Sequence, residues 1–347
     1  MQKKTKAGLA GVVVGLLSLS ACGGGSDAST GSGSRSGSGD STELSVVGYS
    51  VLEQANKGVI EAFQGTDAGK NVTFKESYGA SGDQSRAVEA GQDADVVHFS
   101  LEPDVTRLVD AGLVDKTWKD NDTKGICTTS LVSLVVRSGN PKGIQSWDDL
   151  VKPGVGIITP NPASSGSAKW NLLAAYGQVL AGGGKDADAA AYMKKFFANT
   201  VALPDSGRDA TTAFQSGNGD VLLSYENEAI LARQSGADFD YIVPDTTLKI
   251  ENPCAVTKDA PQAAQDFVDF QKSADGQKVY AETGYRPLAP IDGLTVKGAN
   301  DESNPFPEPG TLQTIDNDFG GWDSANTKYF DENNGIVTKL LAASGKS

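Results

Sequence analysis

Histidine and cysteine are scarce in this 347-residue chain: there is one histidine, His98, and three cysteines, Cys22, Cys127 and Cys254. So small a stock of imidazole and thiolate excludes a His/Cys metal cluster, and no cofactor is expected. Basic residues are also in deficit, with 30 Lys and Arg against 44 Asp and Glu and a formal net charge of −14. They form no basic stripe, which excludes nucleic acid as a partner because phosphate backbones demand one. The apolar run from Ala7 to Leu19 is too short, and too quickly followed by glycine, to span a membrane. Covalent and nucleotide chemistry lack their motifs: there is no Gly-x-Ser-x-Gly elbow, no Ser-x-x-Lys, no P-loop and no dinucleotide glycine fingerprint. A serine hydrolase built on Ser81 and His98 is the remote alternative, with an unusual residue order. These absences favour a binding protein over an enzyme.

The N-terminus says where binding happens. Lys3, Lys4 and Lys6 precede the apolar run, and Leu19-Ser-Ala precedes Cys22, the layout of a signal peptide over 1–21. Leu19 to Cys22 resembles the lipobox of bacterial lipoproteins, which implies a diacylated Cys22 on the outer face of the cytoplasmic membrane. Residues 22–42 are almost entirely Gly, Ser, Asp and Thr after that cysteine, a flexible tether with a reach of about 25 Å. The remaining chain, from 43 onward, is long enough for two separate cores.

Strands and helices then alternate. Leu44–Tyr49, Asn71–Ser77 and Ala94–Phe99 read as strands, with helices over Ala55–Phe63 and Ser81–Ala90 between them. This order predicts an open α/β sheet with its ligand loops beyond the C-terminal ends of the strands. Leu131–Arg137 is an apolar strand, Gly139–Lys142 a turn and Trp147–Leu150 a short helix. A second α/β set follows, from the strand Gly156–Thr159 to the strand Val221–Ser224. Tyr241–Asp245 and Cys254–Val256 read as two returning strands, with a helix over Ala263–Lys272. His98 ends an apolar strand and reads as a packed, hydrogen-bonded residue. Trp170, Leu173 and Ala174 share one helical face and read as core.

Three strand-to-helix junctions share one chemistry. Tyr78-Gly-Ala-Ser-Gly82, Ser164-Ser-Gly-Ser167 and Asp205-Ser-Gly-Arg-Asp-Ala-Thr-Thr212 are all small and hydroxylated. A helix start carries unpaired N–H groups and a partial positive charge, so it holds an oxyanion without a lysine. One such junction is ordinary capping; three, split between two candidate lobes, point to convergence on one small anion.

These junctions, with Thr159-Pro-Asn-Pro162, Trp170-Asn171, Gly219-Asp-Val-Leu222, Glu226-Asn-Glu-Ala229, Tyr285-Arg-Pro287 and Phe319-Gly-Gly-Trp322, occur in an order that resembles the sulfate-binding proteins of bacterial ABC importers. The thiosulfate- and, more distantly, molybdate- and tungstate-binding proteins are the alternatives within the same resemblance. It implies a two-lobed α/β periplasmic-binding-protein fold of type II, two open lobes joined by a hinge, acting as a monomer with permease subunits as partners. The lobes are expected at 43–133 and 134–253, with 254–347 returning to lobe one and adding C-terminal helices.

The resemblance also implies a ligand set: Ser81 from lobe one, Ser165, Gly166 and Ser167 from lobe two, the backbone around Gly207 and Arg208, and a side chain from Tyr225. Tyr225 stands where relatives often place a tryptophan, and Ser50 where some carry an aspartate. Lys169, Arg208 and Arg86 lie within a turn of these helix starts, either tuning the field or forming ion pairs. Cys127 and Cys254 fall beside segments crossing between lobes, which implies a disulfide stapling the hinge.

Overall fold

The computed structural model describes residues 41–346; the signal peptide, Cys22 and nearly all of the tether lie outside them. Ten strands alternate with helices: β1 (Thr42–Tyr49), β2 (Val72–Gly79), β3 (Val96–His98), β4 (Ile126–Arg137), β5 (Ile157–Ile158), β6 (Thr200–Ala202), β7 (Val221–Tyr225), β8 (Phe239–Ile242), β9 (Thr246–Val256) and β10 (Thr311–Gln313). The helices that bear on the site are α1 (Glu53–Gln64), α2 (Ser81–Glu89), α3 (Glu102–Asp110), α4 (Gly166–Ala181), α5 (Asp186–Asn199), α6 (Gly207–Gln215) and α7 (Glu226–Gln234). After β9 come α8 (Gln262–Lys272), α9 (Ala274–Glu282), α10 (Ile315–Phe319), α11 (Gly321–Ala325) and α12 (Ile336–Ala343).

The strand path runs β2-β1-β3-β9-β4-β7-β5-β6. One half of it is parallel: β1 pairs with β2 and with β3. Val46, Val47 and Tyr49 of β1 are buried on alternate faces, as a strand covered by helices on both sides requires. The other half has β5 parallel to β6 and β7, with β4 antiparallel to β7 and β8.

Two long strands join the halves. β4 pairs with β9 over Ile126–Leu131 and with β7 over Val132–Val136. β9 in turn pairs with β3 over Cys254–Val256. The sequence-derived boundaries at 133/134 and 253/254 therefore fall inside continuous strands. Cys127 and Cys254 face one another across this pair with Cα atoms 5.7 Å apart and their sulfurs within bonding distance.

α8 and α9 pack on α1, whereas the segment 311–343 lies chiefly on the second half: β10 pairs with β9 and α12 packs on α5, while α11 touches α3 of the first half. Trp322 meets Trp170 edge to face at 4.8 Å, and Tyr329 meets Tyr176 at 5.0 Å. α4 is buried on nearly all sides for this reason, with Trp170, Leu172, Leu173, Ala174, Ala175 and Tyr176 all inaccessible.

Candidate functional site

The three junctions become three helix starts that meet between the halves. α2 begins at Ser81 after an extended Ala80. α4 begins at Gly166, with Ser165 as its extended N-cap. α6 begins at Gly207, where the N-cap Ser206 accepts from the Asp209 N–H at 3.1 Å. Small residues are needed because the halves touch here. A Cβ on Gly166 would lie 2.7 Å from Ser100 Cβ and 2.8 Å from Leu101; one on Gly207 would lie 3.0 Å from Val51 and 3.2 Å from Ser167 Oγ. The Gly82 N–H donates to the Ser164 carbonyl at 3.1 Å, and Arg86 donates to the Ala163 carbonyl at 3.4 Å, both across the same boundary.

Behind the helix starts runs a chain of neutral hydrogen bonds. The hydroxyls of Ser100 and Tyr225 are 2.6 Å apart. The Ser100 N–H donates to Ser81 Oγ at 2.9 Å, and its carbonyl accepts from Trp170 Nε1 at 3.0 Å and Asn252 Nδ2 at 3.1 Å. Tyr49 donates to Asn252 Oδ1 at 3.0 Å and sits 2.8 Å from the Tyr285 hydroxyl. Burial pushes the Tyr225 and Tyr285 hydroxyls well above their ordinary range, so both stay neutral donors and acceptors.

Charged groups nearby are each committed to a partner. Ser81 donates its hydroxyl to Asp104 Oδ2 at 2.5 Å, and Ser85 donates to the Asp104 carbonyl at 2.7 Å. Burial pushes the Asp104 carboxyl up, opposed by the Ser81 hydrogen bond and the charge of Lys169. Burial pulls Lys169 down, and its ammonium donates to Asn326 Oδ1 at 2.9 Å. Arg208 forks onto Glu228, with Nε donating at 2.8 Å and the other arm at 3.0 Å.

Of the sequence-derived set, Ser81, Gly166, Ser167, Gly207 and Tyr225 are brought together, and Ser165 is buried at the same junction. Three of these residues are placed more closely. The Ser81 hydroxyl is spent on Asp104, which leaves that residue its backbone N–H for a ligand. The Arg208 side chain takes the ion-pair alternative, with Glu228, and its backbone remains the expected donor. Ser50 opens a single 3-10 turn before α1 and, among the described residues, its side chain joins none of these hydrogen bonds. Nor does a hydrolase pair form: both ring nitrogens of His98 are engaged, with Gln271 Oε1 at 3.0 Å and Thr128 Oγ1 at 3.2 Å. Burial holds the His98 ring near pKa 3.

Ser100, Asp104 and Asn252 escaped the sequence reading, and Glu228 entered it only within Glu226-Asn-Glu-Ala229. Ser100 follows β3 and precedes α3, so it stands at a fourth strand-to-helix junction; without an adjacent glycine it lacked the signal of the other three.

Residues 44–286 match the model of the bacterial extracellular solute-binding protein family. The chain belongs to that family. It is a solute-binding protein and not an enzyme. It is 36% identical to the sulfate-binding protein of Synechococcus elongatus over 95% of this chain and 94% of that one. It is 34% identical to the thiosulfate-binding protein of Pseudomonas aeruginosa, covering 82% and 88% of the two chains. Among solved structures, the sulfate-binding protein SubI of Mycobacterium tuberculosis superposes with a TM-score of 0.78 at 45% identity, over 84% of this chain and all of SubI. The shared architecture is the two-lobed periplasmic-binding-protein fold of type II, in which the two half-sheets are the lobes and β4 and β9 the crossing strands.

Proposed function

We propose that this solute-binding protein captures sulfate between its lobes and delivers it to the permease of an ABC importer. In this reading a lipid on Cys22 holds it at the outer face of the cytoplasmic membrane, and it works as a monomer. Lobe one comprises 43–133 with the return from 254, and lobe two 134–253. The segment 311–343 reinforces lobe two from outside, and a Cys127–Cys254 disulfide ties the crossing strands together.

The observation that carries this reading is the meeting of the α2, α4 and α6 starts at a boundary of glycines and neutral hydroxyls. Sulfate is fully ionised near neutral pH and only accepts hydrogen bonds. A protonated phosphate brings a hydroxyl that would face an N–H instead of an acceptor, and each buried donor left unmatched costs about 1–3 kcal/mol. The donors we assign are the backbone N–H groups of Ser81, Gly166, Gly207 and Arg208 and the hydroxyls of Ser165, Ser167 and Tyr225. Closure follows from differential affinity, because the anion meets both lobes only when they are together. The similarity to a thiosulfate-binding protein makes thiosulfate the second candidate, since its three oxygens and terminal sulfur likewise only accept hydrogen bonds.

Hydrogen exchange with and without sulfate tests the site. Sulfate should slow exchange at the amides of 81–84, 165–168 and 207–210 together. Protection confined to one lobe, or placed elsewhere, would contradict the assignment.

A further inference from the structure

The strongest charges beside the site are not in the chain of neutral groups. Arg208 lies in the first turn of α6, one residue after Gly207, and it is part-exposed. Glu228 lies in the first turn of α7, three residues after Tyr225, and its side chain is only 3% exposed. Both guanidinium–carboxylate bonds are short and parallel, the fork geometry that fixes an arginine most firmly. The Thr211 hydroxyl donates to the Gly207 carbonyl at 3.3 Å, one turn back on the same helix. Arg208, Thr211 and Glu228 line a cavity of about 200 Å³ together with Gln54 from the other lobe. The guanidinium borders this open space between α6 and α7, and the carboxylate fixes it there.

We infer that Glu228 is a specificity-determining positioning residue: its fork with Arg208 withholds a mobile cation from the anion seat at the neighbouring helix start. This rests on the anion-binding reading above and names what keeps that site neutral. Fixed N–H groups discriminate between oxyanions by geometry, because a hydroxyl on the ligand has no acceptor to meet. A guanidinium on a long stem attracts any oxyanion and lets a protonated one turn its hydroxyl away while still being held. Held by Glu228, Arg208 supplies no such tolerance. The pair is also charge-balanced, so Glu228 does not repel a dianion; removing either partner alone uncovers the other's charge.

The test measures sulfate and phosphate affinity, at two salt concentrations, for the wild type, Glu228→Gln, Arg208→Gln and the double variant Arg208→Gln/Glu228→Gln, with thermal melts to confirm folding. Glu228→Gln frees the guanidinium. The sulfate-to-phosphate ratio should fall by at least about tenfold, and binding should become more salt-sensitive. Arg208→Gln leaves a buried carboxylate unopposed and should weaken sulfate by at least about tenfold. The double variant removes both charges and should recover the discrimination that Glu228→Gln lost, which a purely structural role for the pair would not do. If the wild type binds sulfate and Glu228→Gln keeps its selectivity, the inference is overturned and the anion site stands. Should Glu228→Gln not fold, Arg208→Gln binding sulfate like the wild type would overturn it equally. A wild type that binds neither anion removes the anion site itself, and the inference with it.

Discussion

Ser165 caps α4 without giving its hydroxyl to the helix, which leaves that donor for a ligand. Replacing it with alanine should weaken sulfate binding by about 1–3 kcal/mol with little change in the melting temperature of the ligand-free protein. An unchanged affinity, read by calorimetry, would remove Ser165 from the site. His98 supplies a second prediction at this scale. The unfolded chain takes up a proton on this ring near pH 6.5, while the folded protein keeps it neutral to about pH 3. Between those values protons favour the unfolded state, so His98 costs stability progressively as pH falls from about 6.5 toward 3. The loss should amount to several kcal/mol in order of magnitude. His98→Gln should flatten that part of the pH–stability curve relative to the wild type, and parallel curves for the two proteins would contradict the assignment. The hydroxyls of Ser81, Ser165 and Ser167 were legible because short polar side chains beside glycine mark helix starts locally. The destination of the Ser81 hydroxyl was not, since Asp104 reaches it through tertiary packing that no local pattern encodes.

At the scale of elements, helix starts were the most readable features. Ser81, Gly166 and Gly207 open α2, α4 and α6 at the junctions the sequence marks. Gly166 is the most constrained of these glycines, because its Cα faces Ser100 and Leu101 of the opposite lobe. Gly166→Ala should leave the ligand-free protein folded but obstruct lobe approach, lowering sulfate affinity by about tenfold or more, on the order of 1.4 kcal/mol. Wild-type affinity in that variant would show that the lobes do not need to meet there. β9 was less readable. Its sequence contains Asn252 and Pro253, and the alternation breaks around them, so within it only Cys254–Val256 reads as a strand; Tyr241–Asp245 falls on β8 and the residues after it. In the fold, Pro253 sits opposite Ile126, beside the register shift between Ile126 and Thr128. Irregular pairing is where a strand tolerates a residue with no N–H to donate. α5 was passed over, and α12 fell within the C-terminal helices expected after 254; their packing on each other is a tertiary contact that no local pattern encodes.

At the scale of the whole molecule, two strands carry the connection between lobes, and Cys127 and Cys254 sit on them. Replacing both cysteines with serine should cost about 2–5 kcal/mol of stability, as removal of a native disulfide closing a long loop does. Mass spectrometry of unreduced peptides that finds two free thiols would contradict the staple. The two-lobed plan was legible from the alternation of elements and the chain's length, but the path of 311–343 across the second lobe was not. Its anchors, Trp322 on Trp170 and Tyr329 on Tyr176, join residues more than 150 positions apart.

In the proposed function, a site made of neutral donors and helix starts selects a fully ionised oxyanion. Calorimetric titration of the purified protein with sulfate, then with thiosulfate, molybdate and phosphate, tests it most directly. Tight one-to-one sulfate binding with no response to phosphate is the predicted result. Phosphate bound as tightly as sulfate, or molybdate bound with sulfate ignored, would contradict the account of how this protein chooses its ligand.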